Sequence, residues 1–222
     1  MKKKLSGFIP FLSALVLLLA GCQQELASVK TEAAFILPEE AAIDGLKLTH
    51  VSQGDFDSDS VKGKWSLFFF GYTHCPDVCP TELYRMAEMM GKIEAAAGLK
   101  MESPQVVFIS LDPQRDTPEL LQKYVGFYHP SFLGVTGEQS TIDRLAKSMG
   151  VYYQRVYHLN GKVLDPVSQE NVPEGLENSY LVNHSAAIFL INPRGKLQAV
   201  LTPPHDPDVM IRDISSIQSA WR

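Results

Sequence analysis

Two of the chain's three cysteines stand four positions apart, in HCPDVCP at residues 74–80. A proline follows each of Cys75 and Cys79, and the apolar run WSLFFFGY comes just before. An apolar aromatic run of this length reads as a buried strand. Pro80 suits the first turn of a helix. The dithiol therefore opens a helix at a strand-to-helix junction. There, unpaired backbone N–H groups favour negative charge and lower a cysteine's pKa, and residues one turn apart face the same side. Two sulfurs so placed suit a reversible disulfide, or a soft metal ion held by two thiolates. A purely structural disulfide would close a five-residue loop, which chain entropy makes worth only roughly 2 kcal/mol.

Two thiolates seldom complete a metal site, and histidine is the usual third ligand. Of the six histidines, His184 stands apart: it lies in LVNHSAAIFLI, just before a buried strand. In a thioredoxin-like sheet the loop into the third core strand faces the dithiol. His74 adjoins Cys75 and points elsewhere if Cys75 points into the site, so it reads as tuning or packing. His129 follows a helix and precedes Pro130, which suits a cap. His50, His158 and His205 sit in polar or edge contexts with no partner motif.

The elements that must position these residues alternate from Trp65 onward. WSLFFFGY is a strand, and PTELYRMAEMMGKIEAAAG a helix with Leu83, Met86, Met90 and Ile93 at helical spacing. QVVFISL at 105–111 is a second strand. Asp116 or Thr117 caps the next helix, with Pro118 and Glu119 in its first turn. FLGVTG is a short strand, and STIDRLAKSMG a helix ending at Gly150. VYYQRVYHL is sheet, and AAIFLINPRGKLQAVL a hairpin turning at NPRG. Between them a long polar excursion crosses the surface, and PDVMIRDISSIQSAW closes the chain as a helix. This order gives an α/β sandwich. A dithiol at the first helix makes it thioredoxin-like, with an extra hairpin or loop insertion before the His184 strand.

The first residues read as an address and not as fold. MKKK is a positive n-region, and FIPFLSALVLLLA at 8–20 is an apolar stretch shorter than the ~20 residues of a span. LAGC at 19–22 resembles a bacterial lipobox, in which cleavage precedes Cys22 and the thiol carries lipid. The expected organisation is a lipoprotein signal peptide at 1–21, a tether at 22–38 and one domain at 39–222. Lipidation of Cys22 leaves Cys75 and Cys79 as the remaining pair, in an oxidising compartment that permits a disulfide. Cleavage takes the formal charge from −5 to −8, because Lys2, Lys3 and Lys4 leave with no acid. Membrane contact would then come from lipid. An acidic chain of 222 residues, 45% of them hydrophobic, has one sizeable core and no basic footprint for nucleic acid.

Taken together, FFFGYTHCPDVCPTEL, ISLDPQRDTPE and VNHSAAIFLINPRGKL resemble, in that order, the motifs of the Sco/SenC family of copper proteins. The resemblance runs from about Gly63 to the C-terminal helix. It implies a thioredoxin-like fold and a role in assembling the CuA centre of cytochrome c oxidase. It also implies copper ligands at Cys75, Cys79 and His184. The implied partners are the oxidase subunit carrying CuA and other copper chaperones, met on the extracytoplasmic side of a bacterial membrane. Asn183 stands where the family often has Asp, and it carries no charge. Asp112 and Asp116 read as turn and helix-capping residues; Asp77 either tunes the metal's charge or faces solvent. A thiol-disulfide reductase is the alternative, needing Cys75 and Cys79 but not His184. A peroxidase would want a Thr and Pro pattern before its cysteine, and GYTH lacks it. A structural zinc site lacks a fourth ligand.

Overall fold

The structure, a computed structural model, describes residues 29–52, 54–96, 98–159, 162–164, 172 and 174–221. The expected signal peptide, Cys22 and the expected tether as far as Ser28 lie outside these residues. The chain opens with β1 (Ala34–Ala41), β2 (Lys47–His50), β3 (Gly54–Asp57) and a short 3-10 turn at Ser58–Ser60. It continues through β4 (Ser66–Gly71), α1 (Val78–Ala95), β5 (Gln105–Ser110), α2 (Pro118–Tyr128), β6 (Leu133–Thr136) and α3 (Gln139–Ser148). Then come β7 (Tyr153–Leu159), β8 (Lys162–Val163), β9 (Tyr180–His184), β10 (Ile188–Ile191), β11 (Leu197–Leu201) and α4 (Pro207–Ala220).

The strands order themselves as the burial pattern requires. β4 is buried at every residue, and so is β10. Both lie inside an eight-stranded sheet of order β1-β11-β10-β4-β5-β6-β2-β3. β4, β5 and β6 run parallel, with α1 and α2 as the intervening crossovers. β10 closes antiparallel on β4 and returns as β11 through the expected turn, with Gly195 at a φ of 75°. α1 buries Leu83, Met86, Met90 and Ile93, the stripe its spacing predicts, and adds Cys79, Glu82 and Met89. Its N-terminus lies two residues earlier than Pro80, so Cys79 is inside the helix and Cys75 in the loop before it. Thr117 caps α2, its hydroxyl accepting from the Leu120 N–H at 3.3 Å.

Two expectations change. The tether does not run to residue 38: Ala34–Ala41 is an edge strand paired antiparallel with β11. Asp213 of α4 ties its start down, accepting from the backbone N–H groups of Glu32, Ala33 and Ala34 at 2.8–3.1 Å. This strand carries Pro38 and two glutamates, as an edge permits and a central strand would not. The polar excursion before His184 is also not all loop. Tyr180–His184 pairs antiparallel with β7 in a second sheet of order β8-β7-β9. β9 thus lies inside the stretch expected as the excursion, and it delivers the histidine. No described helix is long and apolar enough to cross a membrane.

Candidate metal centre

The end of β4 and the start of α1 set the two sulfurs. Gly71 closes β4, and a Cβ there would lie 2.8 Å from Cys79 Sγ and 2.6 Å from the Phe108 ring. The bare glycine thus leaves the room that Cys79 fills. Cys79 is buried, while Cys75, in the loop, is half-buried, and the two are not bridged. Asp77 occupies the helix N-cap position, yet its exposed side chain caps nothing. Cys75 does so instead, its Sγ accepting from the Cys79 backbone N–H at 3.4 Å.

β9 brings the third group from the far end of the chain. His184 Nε2 lies 3.4 Å from Cys79 Sγ, although 105 positions separate them. His184 Nδ1 lies 2.9 Å from the Ser185 carbonyl oxygen, which can only accept, so Nδ1 carries the hydrogen. In the neutral ring Nε2 is then a bare lone pair aimed at the sulfurs. Tyr72 and Phe69 hold the imidazole edge-on, with ring centroids at 6.1 and 6.3 Å.

Among the described residues Cys75, Cys79 and His184 form the one cluster of three or more such side chains fit for a metal, their donor atoms all within 4.8 Å of one another. Bonds of about 2.0–2.3 Å to one ion put two donors roughly 3.5–4.6 Å apart. The spacing and the soft donor set therefore suit copper or zinc. In the metal-free protein the pair shares one charge. Cys75 is pushed down to about 3 by the hydrogen bond from the Cys79 thiol, helped by the backbone N–H groups of Cys79 and Asp77, against its partial burial. The same hydrogen bond, burial and the Cys75 charge drive Cys79 strongly upward.

The two aspartates of LDPQRDTP do more than the turn and capping roles expected of them. Asp112 does hold a turn, its carbonyl accepting from the Arg115 and Asp116 N–H groups at 3.1 and 3.0 Å. Its fully buried carboxylate pairs with Arg115, takes the Tyr180 hydroxyl at 2.5 Å and lies 3.5 Å from Arg155. Asp116 caps no helix. It is fully buried and accepts from Ser110 Oγ at 2.7 Å and from Thr73 through its hydroxyl at 2.6 Å and its N–H at 3.1 Å. Burial raises its pKa more than these bonds lower it.

The remaining histidines stay away from the cluster. His74 bonds Thr73 Oγ1 at 3.1 Å and is half exposed, which fits tuning or packing. His129 is the C-cap of α2. His50 is buried against Gln122, and His158 is exposed on β7. His205 is not at a polar edge but fully buried, 2.7 Å from the Glu82 carboxylate. Asn183 faces solvent beside the site. Sequence reasoning missed Tyr72, which meets the His184 ring, and Arg115 and Tyr180, which stack next to it. An arginine between two aspartates in LDPQRDTP was the available signal.

Known proteins resemble this chain over most of its length. A relative from Stutzerimonas stutzeri is 33% identical over 182 residues, covering 82% of this chain and 79% of its own. The human mitochondrial SCO2 homolog is 34% identical over 169 residues, 72% of this chain and 57% of that one, so the chain spans little more than half of that relative. The crystal structure of Arabidopsis thaliana ScoI with copper bound superposes with a TM-score of 0.67 at 30% identity, covering 81% of this chain and all of that one. The fold is thus thioredoxin-like as expected. The family model described as SCO1/SenC matches residues 39–219, from β1 through almost all of α4, and the chain belongs to that family.

Proposed function

We propose that this protein is a copper-binding assembly factor that helps supply the CuA centre of cytochrome c oxidase, with copper as its cargo and Cys75, Cys79 and His184 as ligands. The observation that carries the reading is the convergence of His184 Nε2 on the Cys79 sulfur. A thiol-disulfide reductase needs the two sulfurs but does not require His184. Copper fits the donors: two thiolates suit Cu(I), and the added nitrogen suits Cu(II). The cysteine in the loop is half-buried, so an incoming partner's ligands can reach the ion. The copper-bound Arabidopsis relative supports the same cargo. The proposed recipient is the oxidase subunit carrying CuA, with other copper chaperones as donors.

A copper titration with parallel thiol counts tests this. Reduced wild type should take up one copper per chain. Protein oxidised to the Cys75–Cys79 disulfide should take up almost none there, because a disulfide sulfur is a poor ligand. His184→Ala should keep its dithiol and its apo melting point but bind Cu(II) much more weakly. Saturating copper adds about 4 kcal/mol at a thousandfold excess over the dissociation constant, so the variant's copper-induced stabilisation should shrink. Unchanged Cu(II) affinity in His184→Ala removes His184 from the site. A variant that loses copper yet supports oxidase assembly in cells favours the reductase.

LAGC supports lipidation of Cys22 and a place on the extracytoplasmic face of a bacterial membrane. The intact mass of the mature protein checks it: an unmodified Cys22 refutes the anchor.

A further inference from the structure

The strand that carries His184 has no backbone ladder to the main sheet: β9 pairs with β7 in the separate three-stranded sheet, while the cysteines follow β4 of the larger one. Something other than sheet register must therefore set the reach of His184 toward the sulfurs. Side chains around Arg115 supply it. The Arg115 guanidinium lies between two rings, 3.7 Å from the Tyr180 centroid and 5.7 Å from that of Tyr72. Its Nε pairs with fully buried Asp112. Its Nη1 donates to the carbonyls of Asn178 and Tyr180, both at 3.1 Å, at the start of β9. Tyr180 returns its hydroxyl to Asp112, and Arg155 of β7 approaches the same carboxylate. On the other side Tyr72, three residues before Cys75, meets the His184 ring edge-on.

We propose that Arg115, locked on Asp112, is a positioning residue that fixes β9 against the dithiol loop and so sets how far His184 Nε2 reaches toward the cysteine sulfurs. A planar fork does this where an ammonium cannot, because it pairs a carboxylate, spans two carbonyls and stacks between rings at once. The inference rests on the copper reading for its consequence, since a displaced imidazole weakens Cu(II) while two thiolates still hold Cu(I). The displacement itself is a property of the metal-free protein.

The experiment uses the protein with Arg115→Lys, His184→Ala and the double variant. In the metal-free state the His184 imidazole 15N resonances of Arg115→Lys should shift, and the amides of residues 180–184 should exchange with solvent about tenfold faster. Cu(I) stoichiometry should stay at one. Cu(II) affinity should fall about tenfold or more, with a changed thiolate-to-copper absorption band. In the His184→Ala background Arg115→Lys should cost no further Cu(II) affinity, the coupling expected of a residue acting through another. A purely structural role would give additive losses, and that result overturns the proposal. So do unchanged His184 resonances. Should Arg115→Lys fail to fold, Tyr180→Phe, which removes the hydroxyl on Asp112, must move the His184 imidazole resonances from their wild-type positions; a wild-type spectrum overturns the proposal. Equal Cu(II) affinity in wild type and His184→Ala instead sinks the ligand assignment, and the metal-free resonances still decide the role of Arg115.

Discussion

Thr73 gives both its hydroxyl and its backbone N–H to Asp116, at 2.6 and 3.1 Å, so one fully buried carboxylate fixes the loop that leads into Cys75. Ser110, at the end of β5, donates to the same group at 2.7 Å. The carboxylate thus joins the loop before the dithiol to a neighbouring strand of the main sheet.

Asp116→Ala strands these donors. An unsatisfied buried donor costs about 1–3 kcal/mol, so urea unfolding should show a loss of about 2–4 kcal/mol. Asp116→Asn keeps acceptor capacity and should lose less. The pH dependence has a defined sign. Burial is the largest influence on Asp116 and raises its pKa above the ordinary 3.8. The folded protein therefore binds more protons here than the unfolded chain just above that value. This group's contribution to stability must fall as pH rises through that window, and Asp116→Asn should remove the fall. Parallel stability–pH curves for wild type and variant would contradict the buried-carboxylate account.

Cys75 offers a second test. Its thiol is pushed down to about 3, with the Cys79 thiol hydrogen bond as the leading cause, while Cys79 is pushed up. Over neutral and mildly acidic pH the pair holds one proton and one negative charge. An ordinary thiol, with a pKa near 8.5, loses about tenfold in thiolate per pH unit below that value. Alkylation of Cys75 by iodoacetamide in the reduced, metal-free protein should instead stay nearly flat from about pH 5 to 8. Peptide mapping should find Cys75 modified before buried Cys79. A tenfold fall per unit, or label on Cys79 first, would show that Cys75 is not the thiolate.

What the sequence revealed follows from how much each signal depends on distant partners. Cys75 and Cys79 were legible because a dithiol flanked by prolines after a wholly apolar strand has few other uses. His184 was legible because LVNH enters the buried run IFLI. The stripe of α1 and the NPRG hairpin are local patterns, and both appear as expected. β1, β2 and β3 were missed because strands near the sheet's ends, such as KLTH, bury only some of their residues. Asp112 and Asp116 looked like ordinary turn and capping residues and Arg115 went unread, since their partners Tyr180, Thr73 and Ser110 come from other elements. His205 looked unattached for the same reason, its partner Glu82 lying 123 positions away.

Gly71 yields a prediction that alters the site without touching a ligand. It ends β4 with ordinary backbone, so the demand for glycine is spatial. A methyl there would lie 2.8 Å from Cys79 Sγ and 2.6 and 2.8 Å from two atoms of the Phe108 ring. Both neighbours are fully buried and have little room to retreat. Overpacking of this kind costs about 1–3 kcal/mol, so Gly71→Ala should unfold at lower urea. The sulfur is the softer obstacle, and moving it disturbs the 3.4 Å approach of Cys79 to His184 Nε2. Copper affinity should fall about tenfold, corresponding to about 1.4 kcal/mol, with all three ligands still present and both thiols countable. Phe108→Leu added to Gly71→Ala separates the two contacts. It relieves the ring clash, so the double variant should recover stability against Gly71→Ala but little copper affinity. If both recover together, the methyl acts through Phe108 and general packing, and Gly71 is not needed for the position of the Cys79 sulfur.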